Sequence, residues 1–236
     1  MPTATVIPLS PTRTRMKGKQ STTTSATLRT LYHRAARAFL QRDLALAHSL
    51  LDSAFKLIFP PGPHDDPLFI SHRKKWDILR ITLETTVYSA SRSQDLPDEL
   101  QGLPQLSPQS FVSAAYLRSI LLFTPSSHRV AGGDAGFLPP NVLTTLVYAS
   151  LKVVCPDVGR MMIEDWLSKR TSEDDDQEEE GYEKVLELYV LQVLPKLEEW
   201  DYAERYLAYE TESRWDTRQV HISSELILLA NSTFSV

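Results

Sequence analysis

The side chains that could do chemistry are few and scattered. His64, Asp65, Asp66 and His72 bring imidazoles and carboxylates close together in the chain, and these are ligand types that hold a divalent metal. They follow Pro60-Pro61-Gly62-Pro63 on a proline-rich loop without a rigid i, i+4 pair, so the spacing predicts no metal site. His33 and His48 fall on the polar side of apolar helical patterns and read as surface or edge histidines. Cys155, the single cysteine, ends the apolar run Val153-Val154-Cys155-Pro156. A nucleophilic thiolate needs exposure and a basic neighbour, so Cys155 reads as core. One cysteine also gives no disulfide framework, and a reducing compartment, most simply the cytosol, is the default. No phosphate loop, dinucleotide fingerprint, nucleophile elbow or zinc spacing occurs. The expectation is a protein that is not an enzyme, with no catalytic residue, no cofactor, no metal and no small-molecule substrate.

The elements around these residues follow the helical period. Only 8 glycines in 236 residues, with a hydrophobic fraction of 42%, suit an all-α chain better than turn-rich sheets. Leu31, Tyr32, Ala35, Phe39 and Leu40 mark one helical face; Leu44, Ala47, Leu50, Leu51, Ala54, Phe55 and Ile58 mark another. Gln41-Arg42-Asp43 between them is short enough to force an antiparallel helix hairpin. A third helix near Ser71 carries Trp76, Leu79, Leu83 and Val87, with Ile78, Ile81 and Tyr88 widening the stripe so that it is covered on more than one side. Residues 93–108 form an irregular connection. A fourth helix, capped by Ser107 and opened by Pro108, is apolar nearly all round.

Residues 124–137 read as a mobile loop. Leu138-Pro139-Pro140 opens a fifth helix that stops at Cys155-Pro156, and a sixth runs from Asp157 through Trp166 and Leu167, giving a second hairpin. A seventh helix from Tyr182 is weakened by Pro195, and an eighth from Asp201 completes a third hairpin. Small-x-x-x-apolar-x-x spacing recurs at Ala47/Leu51/Ala54, Gly159/Ile163/Trp166 and Ala203/Leu207/Glu210. The intervals are too uneven for a regular array, so the fold is expected to be an irregular α-solenoid or bundle of antiparallel, tetratricopeptide-like hairpins, about eight or nine helices in all. Trp76, Trp166, Trp200 and Trp215 read as core anchors.

Charge is unevenly distributed. Residues 1–42 hold eight Lys and Arg and no acid, whereas from Thr171 onward 17 Asp and Glu face 5 Lys and Arg. Residues 1–26 read as a disordered basic tail, with an organellar transit sequence as the alternative. Residues 27–210 read as one helical interaction domain, interrupted by an acidic, solvated spacer at 171–181. Ser223 to Asn231 could form a short amphipathic helix, and Asn231-Ser232-Thr233 is a glycosylation sequon without meaning unless the chain is secreted. The basic residues lie mostly in the tail and are not interleaved with aromatics, so no nucleic-acid partner is expected.

Three blocks, RDLALAHSLLDSAF, FLPPNVLTTLVYASLKVVCPDVGRMMIEDWLS and YEKVLELYVLQVLPKLEEWDYAERYL, resemble in order and spacing the soluble domain of the tail-anchored peroxins, the peroxin-26/peroxin-15 family. The resemblance implies a non-enzymatic adaptor of peroxisome biogenesis, on the cytosolic face of the peroxisomal membrane, that binds the N-terminal region of an AAA ATPase used in import-receptor recycling. It carries partner recognition onto Leu40, Arg42, Asp43 and Leu44, residues that helix capping and core packing would also explain. The family ends in a transmembrane anchor and no such stretch occurs by Val236. Either residues 211–236 are a tail altered by truncation or splicing, with membrane attachment depending on an anchor outside this sequence, or the protein is soluble; the chain as given is expected to be soluble and cytosolic. The alternatives are a generic tetratricopeptide-like scaffold and an organelle-imported helical protein.

Overall fold

Left-handed residues turn the chain at three helix hairpins. The computed structural model describes residues 16–62, 67–90, 96–128, 132–170 and 176–213. Its helices are α1 (Met16–Leu40), α2 (Leu44–Phe55), α3 (Pro67–Ser89), α4 (Asp98–Gln101), α5 (Pro108–Phe123), α6 (Pro140–Lys152), α7 (Pro156–Lys169), α8 (Asp176–Leu188), α9 (Leu194–Lys196) and α10 (Trp200–Ser213), with a π turn over Tyr189–Val193. No strand occurs among the described residues.

At the α1/α2, α6/α7 and α9/α10 elbows, Arg42, Val154 and Glu198 sit at φ of 62°, 60° and 60°. The next residue's N–H then reaches back to the helix it has just left: Asp43 to the Ala38 carbonyl at 2.9 Å, Cys155 to Ser150 at 2.9 Å and Glu199 to Leu194 at 3.0 Å. These are Schellman closures, which satisfy carbonyls that the helix end leaves without partners. Five residues after each left-handed residue comes a small buried one, Ala47, Gly159 or Ala203, and four further on a buried apolar one, Leu51, Ile163 or Leu207. The small residue sets how closely two helices approach. A Cβ at Gly159 would lie 2.5 Å from Ser150 Oγ on α6.

All three elbows lie at one end of the molecule, as the side-chain contacts require. Ser25 bonds to His72 at 2.9 Å and Tyr32 meets Trp76 edge-on at 5.4 Å, so α3 runs alongside α1 in the same direction. Tyr88 stacks on Phe111 and Glu84 pairs with Arg118, so α5 returns antiparallel. Gly136, just before α6, abuts the Lys169 carbonyl at the far end of α7, and Gly181 of α8 abuts Pro140. Both α6 and α8 therefore start at the end opposite the first elbow, and the second and third elbows close beside it. Arg160 at the start of α7 pairs with Glu199 of the third.

Two cores result. Leu28, Ala35, Leu51, Ala54 and Trp76 fill the first, between α1, α2 and α3. The second, centred on Leu143, Leu146, Met162, Ile163, Trp166 and Tyr189, joins α5 through α10. α3 is a wall of both: Trp76, Leu79, Leu83 and Val87 face the first, Ile81 the second.

Several expected boundaries move. α1 begins at Met16 rather than near residue 26, and Ser25 and Leu28 are already buried, because the polar stretch before Leu28 is extended by the helix that Leu28 and Ala35 anchor. The acidic spacer is shorter than 171–181, since α8 starts at Asp176; carboxylates suit the positive end of a helix. The connection over 93–108 contains α4 and a 3-10 turn at Leu103–Gln105, with Leu100 buried. In the loop expected to be mobile, Thr124 Oγ1 accepts the Asp134 N–H at 2.9 Å and Ala135 is fully buried. Pro195 has no N–H to donate, and the helix before it widens so that Leu194 bonds to Tyr189 in the π turn. α5 is not buried all round, since Leu117 is exposed. The helix considered at 223–231, the sequon, Trp215 and the His64-Asp65-Asp66 group lie outside the described residues.

Val154 combines a β-branched side chain, a left-handed backbone and 82% exposure. The left-handed conformation costs a residue with a Cβ about 1–2 kcal/mol, of which glycine would give back roughly half through its freer unfolded chain. Val154→Gly is expected to stabilise the protein by about 0.5–1 kcal/mol in urea unfolding. A loss of stability would show that Val154 makes contacts the backbone does not reveal.

Candidate docking surface

The first elbow places the four expected recognition residues differently. Leu40 is 81% exposed. The apolar pattern groups it with Ala35, yet five residues at about 100° each carry it some 140° round the helix, away from the core. Arg42 is exposed at the left-handed position. Asp43 is exposed and caps α2, its Oδ1 accepting the Leu46 N–H at 3.0 Å. Leu44 is half-buried against the first core. Leu40 and Arg42 are thus presented outward, while Asp43 and Leu44 hold the elbow together. Leu46, absent from the expected set, adds a second apolar surface at 43% exposure.

Sequence periodicity missed a charged cleft of about 250 Å³ between α2, α3 and α5. His48, Asp52 and Phe55 line it from α2, Arg80 and Glu84 from α3, and Arg118 from α5. Asp77, fully buried, accepts from Arg80, while Glu84 accepts from Arg118. The Arg80 guanidinium lies 4.3 Å from the Phe55 ring centre. Burial lowers the Arg80 pKa, with Asp77 opposing and Arg118 reinforcing the shift. The lining holds no Ser, Thr, Cys or Lys to act as nucleophile. What the arrangement does chemically is tie α3 to α5 through the Glu84–Arg118 pair and to α2 through the Arg80 guanidinium over Phe55, while Asp77–Arg80 stays within α3. The signal that could have found it is the spacing Asp77, Arg80, Glu84, which puts three charges along one side of α3.

A second network ties α7 to the π turn and the third elbow. Arg160 pairs with Glu164 and Glu199, and Tyr189 donates to Glu164 Oε1 at 2.7 Å. Tyr116 donates to Asp165 Oδ2 at 2.8 Å. Both phenols titrate above their usual range, through burial first and the accepting carboxylate second. Neither is poised to act as an acid or base near neutrality.

His48 is half-buried in the cleft, His33 is exposed beside Tyr32, and His72 is held below its usual pKa by burial and then by Lys75 and Arg29. Among the described residues, no group of three or more His, Cys, Asp or Glu is placed to hold a metal ion. Cys155 is buried, and burial together with Asp157 pushes its thiol up to about 11. Thiolate near neutrality is then about a hundredfold scarcer than for an unperturbed thiol. Labelling by a disulfide reagent is expected to be at least that much slower in the folded chain than in denaturant; equal rates would place Cys155 at the surface.

Among the described residues, no helix is long and apolar enough to cross a membrane. No family model matches this chain, nor does any curated protein or solved structure.

Proposed function

We propose that this chain is a non-enzymatic adaptor of peroxisome biogenesis, which docks an AAA ATPase through its N-terminal region for import-receptor recycling at the cytosolic face of the peroxisomal membrane. The observation that carries the reading is the first elbow, where Leu40 is 81% exposed beside an outward Arg42. A leucine so exposed gives up burial energy in the isolated chain and supplies an anchor to a partner. The blocks that resemble the peroxins contain the three Schellman elbows, and these elbows share one end of the molecule.

The test titrates the full chain against the recombinant N-terminal region of a peroxisomal AAA ATPase. Leu40→Glu is expected to weaken binding at least about thirtyfold, as loss of an interface anchor of ~2 kcal/mol does, with the helical circular dichroism unchanged. Arg42→Glu is expected to weaken it less. Asp43 is avoided as a probe because removing its cap costs about 1 kcal/mol of stability on its own. Absence of binding by the unmodified chain, or equal binding by both variants, would exclude this reading.

A further inference from the structure

The outer face of α1 is a run of positive charge without counter-charge. Arg29, His33, Arg34, Arg37 and Leu40 are all exposed, while Leu28, Ala35 and Ala38 on the opposite side pack into the first core. At about 100° per residue the five exposed positions span some 140° of the helix. No acid occurs before Asp43. Arg29, Arg34, Arg37 and Arg42 form no ion pair among the described residues. Elsewhere the guanidiniums of Arg80, Arg118 and Arg160 are each held by a carboxylate. A chain of net charge −5 thus keeps a purely cationic stripe on one folded helix.

We propose that this face of α1 docks an acidic helical segment of a protein partner, with carboxylates on Arg29, Arg34 and Arg37 and an apolar residue on Leu40. Arginine forks match carboxylates in two-point geometry, and spacings of five and three residues are met by acids one and two turns apart on a facing helix. Charge sets the orientation and the encounter rate, while the exposed leucine supplies the desolvated anchor. A lipid surface fits less well. α1 has already spent its apolar face on the core, and Leu40 is the one large apolar side chain on the exposed arc. Single-stranded nucleic acid fits less well too, because Tyr32, the aromatic residue nearest the stripe, is turned against Trp76. The inference rests on the adaptor reading for the partner being a protein, but not for which protein it is.

The probe is a fluorescein-labelled synthetic helix with glutamates one turn apart and a leucine stripe, titrated with the full chain. Parallel titrations use phosphatidylserine-containing vesicles, a single-stranded oligonucleotide and the ATPase N-terminal region. Arg29→Glu/Arg34→Glu/Arg37→Glu is expected to weaken peptide binding at least about tenfold, and the milder Arg→Gln triple to give an intermediate loss with unchanged helicity. The charge-matched control Lys56→Glu/Lys152→Glu/Lys196→Glu, at exposed lysines off α1 and α3, is expected to stay within about twofold, and raising the salt from about 50 to about 300 mM to weaken the unmodified chain. Equal losses in both Glu triples would reduce the effect to net charge and overturn the proposal. Tighter binding of vesicles or oligonucleotide, no peptide binding, or salt-sensitive self-association abolished by the arginine reversal would also overturn it. Peptide binding that depends on the stripe, without binding of the ATPase region, would leave this inference standing and remove the adaptor reading.

Discussion

Replacing Trp166 by alanine is expected to lower the unfolding free energy by about 4–5 kcal/mol, near the top of the range for a buried tryptophan. Trp166 is 2% exposed at the centre of the second core, and its Nε1 donates to the Leu138 carbonyl at 2.9 Å. The ring lies 6.3 Å from that of Tyr182 and 5.3 Å from the Arg170 guanidinium. Alanine leaves a cavity between α6, α7 and α8 and strips the donor from a buried carbonyl, and the second loss adds about 1 kcal/mol to the first. Trp166→Phe keeps most of the volume and loses the donor, so roughly a third of the effect is expected. Urea unfolding of the two variants checks the division. A loss under about 2 kcal/mol for alanine would mean that the second core is not assembled around this ring.

Asp77→Ala is expected to cost about 3 kcal/mol, because it abandons a buried cation. Asp77 is fully buried and Arg80 keeps 15% of its side chain exposed. Removing the carboxylate leaves Arg80 with the face of Phe55 and the nearby charge of Glu84, while Arg118 repels it. The pair itself is a different matter, since desolvating two charges takes back most of what their attraction supplies. The double replacement Asp77→Leu/Arg80→Met is therefore expected to fall within about 1 kcal/mol of the parent or above it. Thermal and urea unfolding of parent, single and double variants decide the issue. A double variant as unstable as the single would show that the ion pair is an essential bond rather than a compensated burial.

Much of the helical framework was legible because its signals are local. Ser107 accepts the Ser110 N–H at 3.1 Å and Pro108 opens α5, as the Ser-Pro pair requires. Pro140 and Pro156 open α6 and α7, and Gln41-Arg42-Asp43 is the elbow between α1 and α2. The small residues Ala47, Gly159 and Ala203 recur because each follows the same turn at the same distance. The period does not say which neighbour covers a face. Leu40 continues an apolar pattern and ends in solvent, and Leu117 does the same on α5. Asp77 and Glu84 interrupt apolar stripes; Asp77 pairs with Arg80 on its own helix, but the partner of Glu84, Arg118, lies on a helix whose packing no local signal encodes. Thr and Ser before Leu28 carry weak helix preference, which the docking of α1 onto α3 overrides through Ser25 and His72.

α3 contributes side chains to both cores, so the molecule has no spare half. Trp76 leaves the first core if the helix melts, and Ile81 leaves the second at the same moment. A single rod thus keeps the three elbows in fixed relation, and a partner gripping the outermost hairpin pulls on the whole array rather than on a detachable arm.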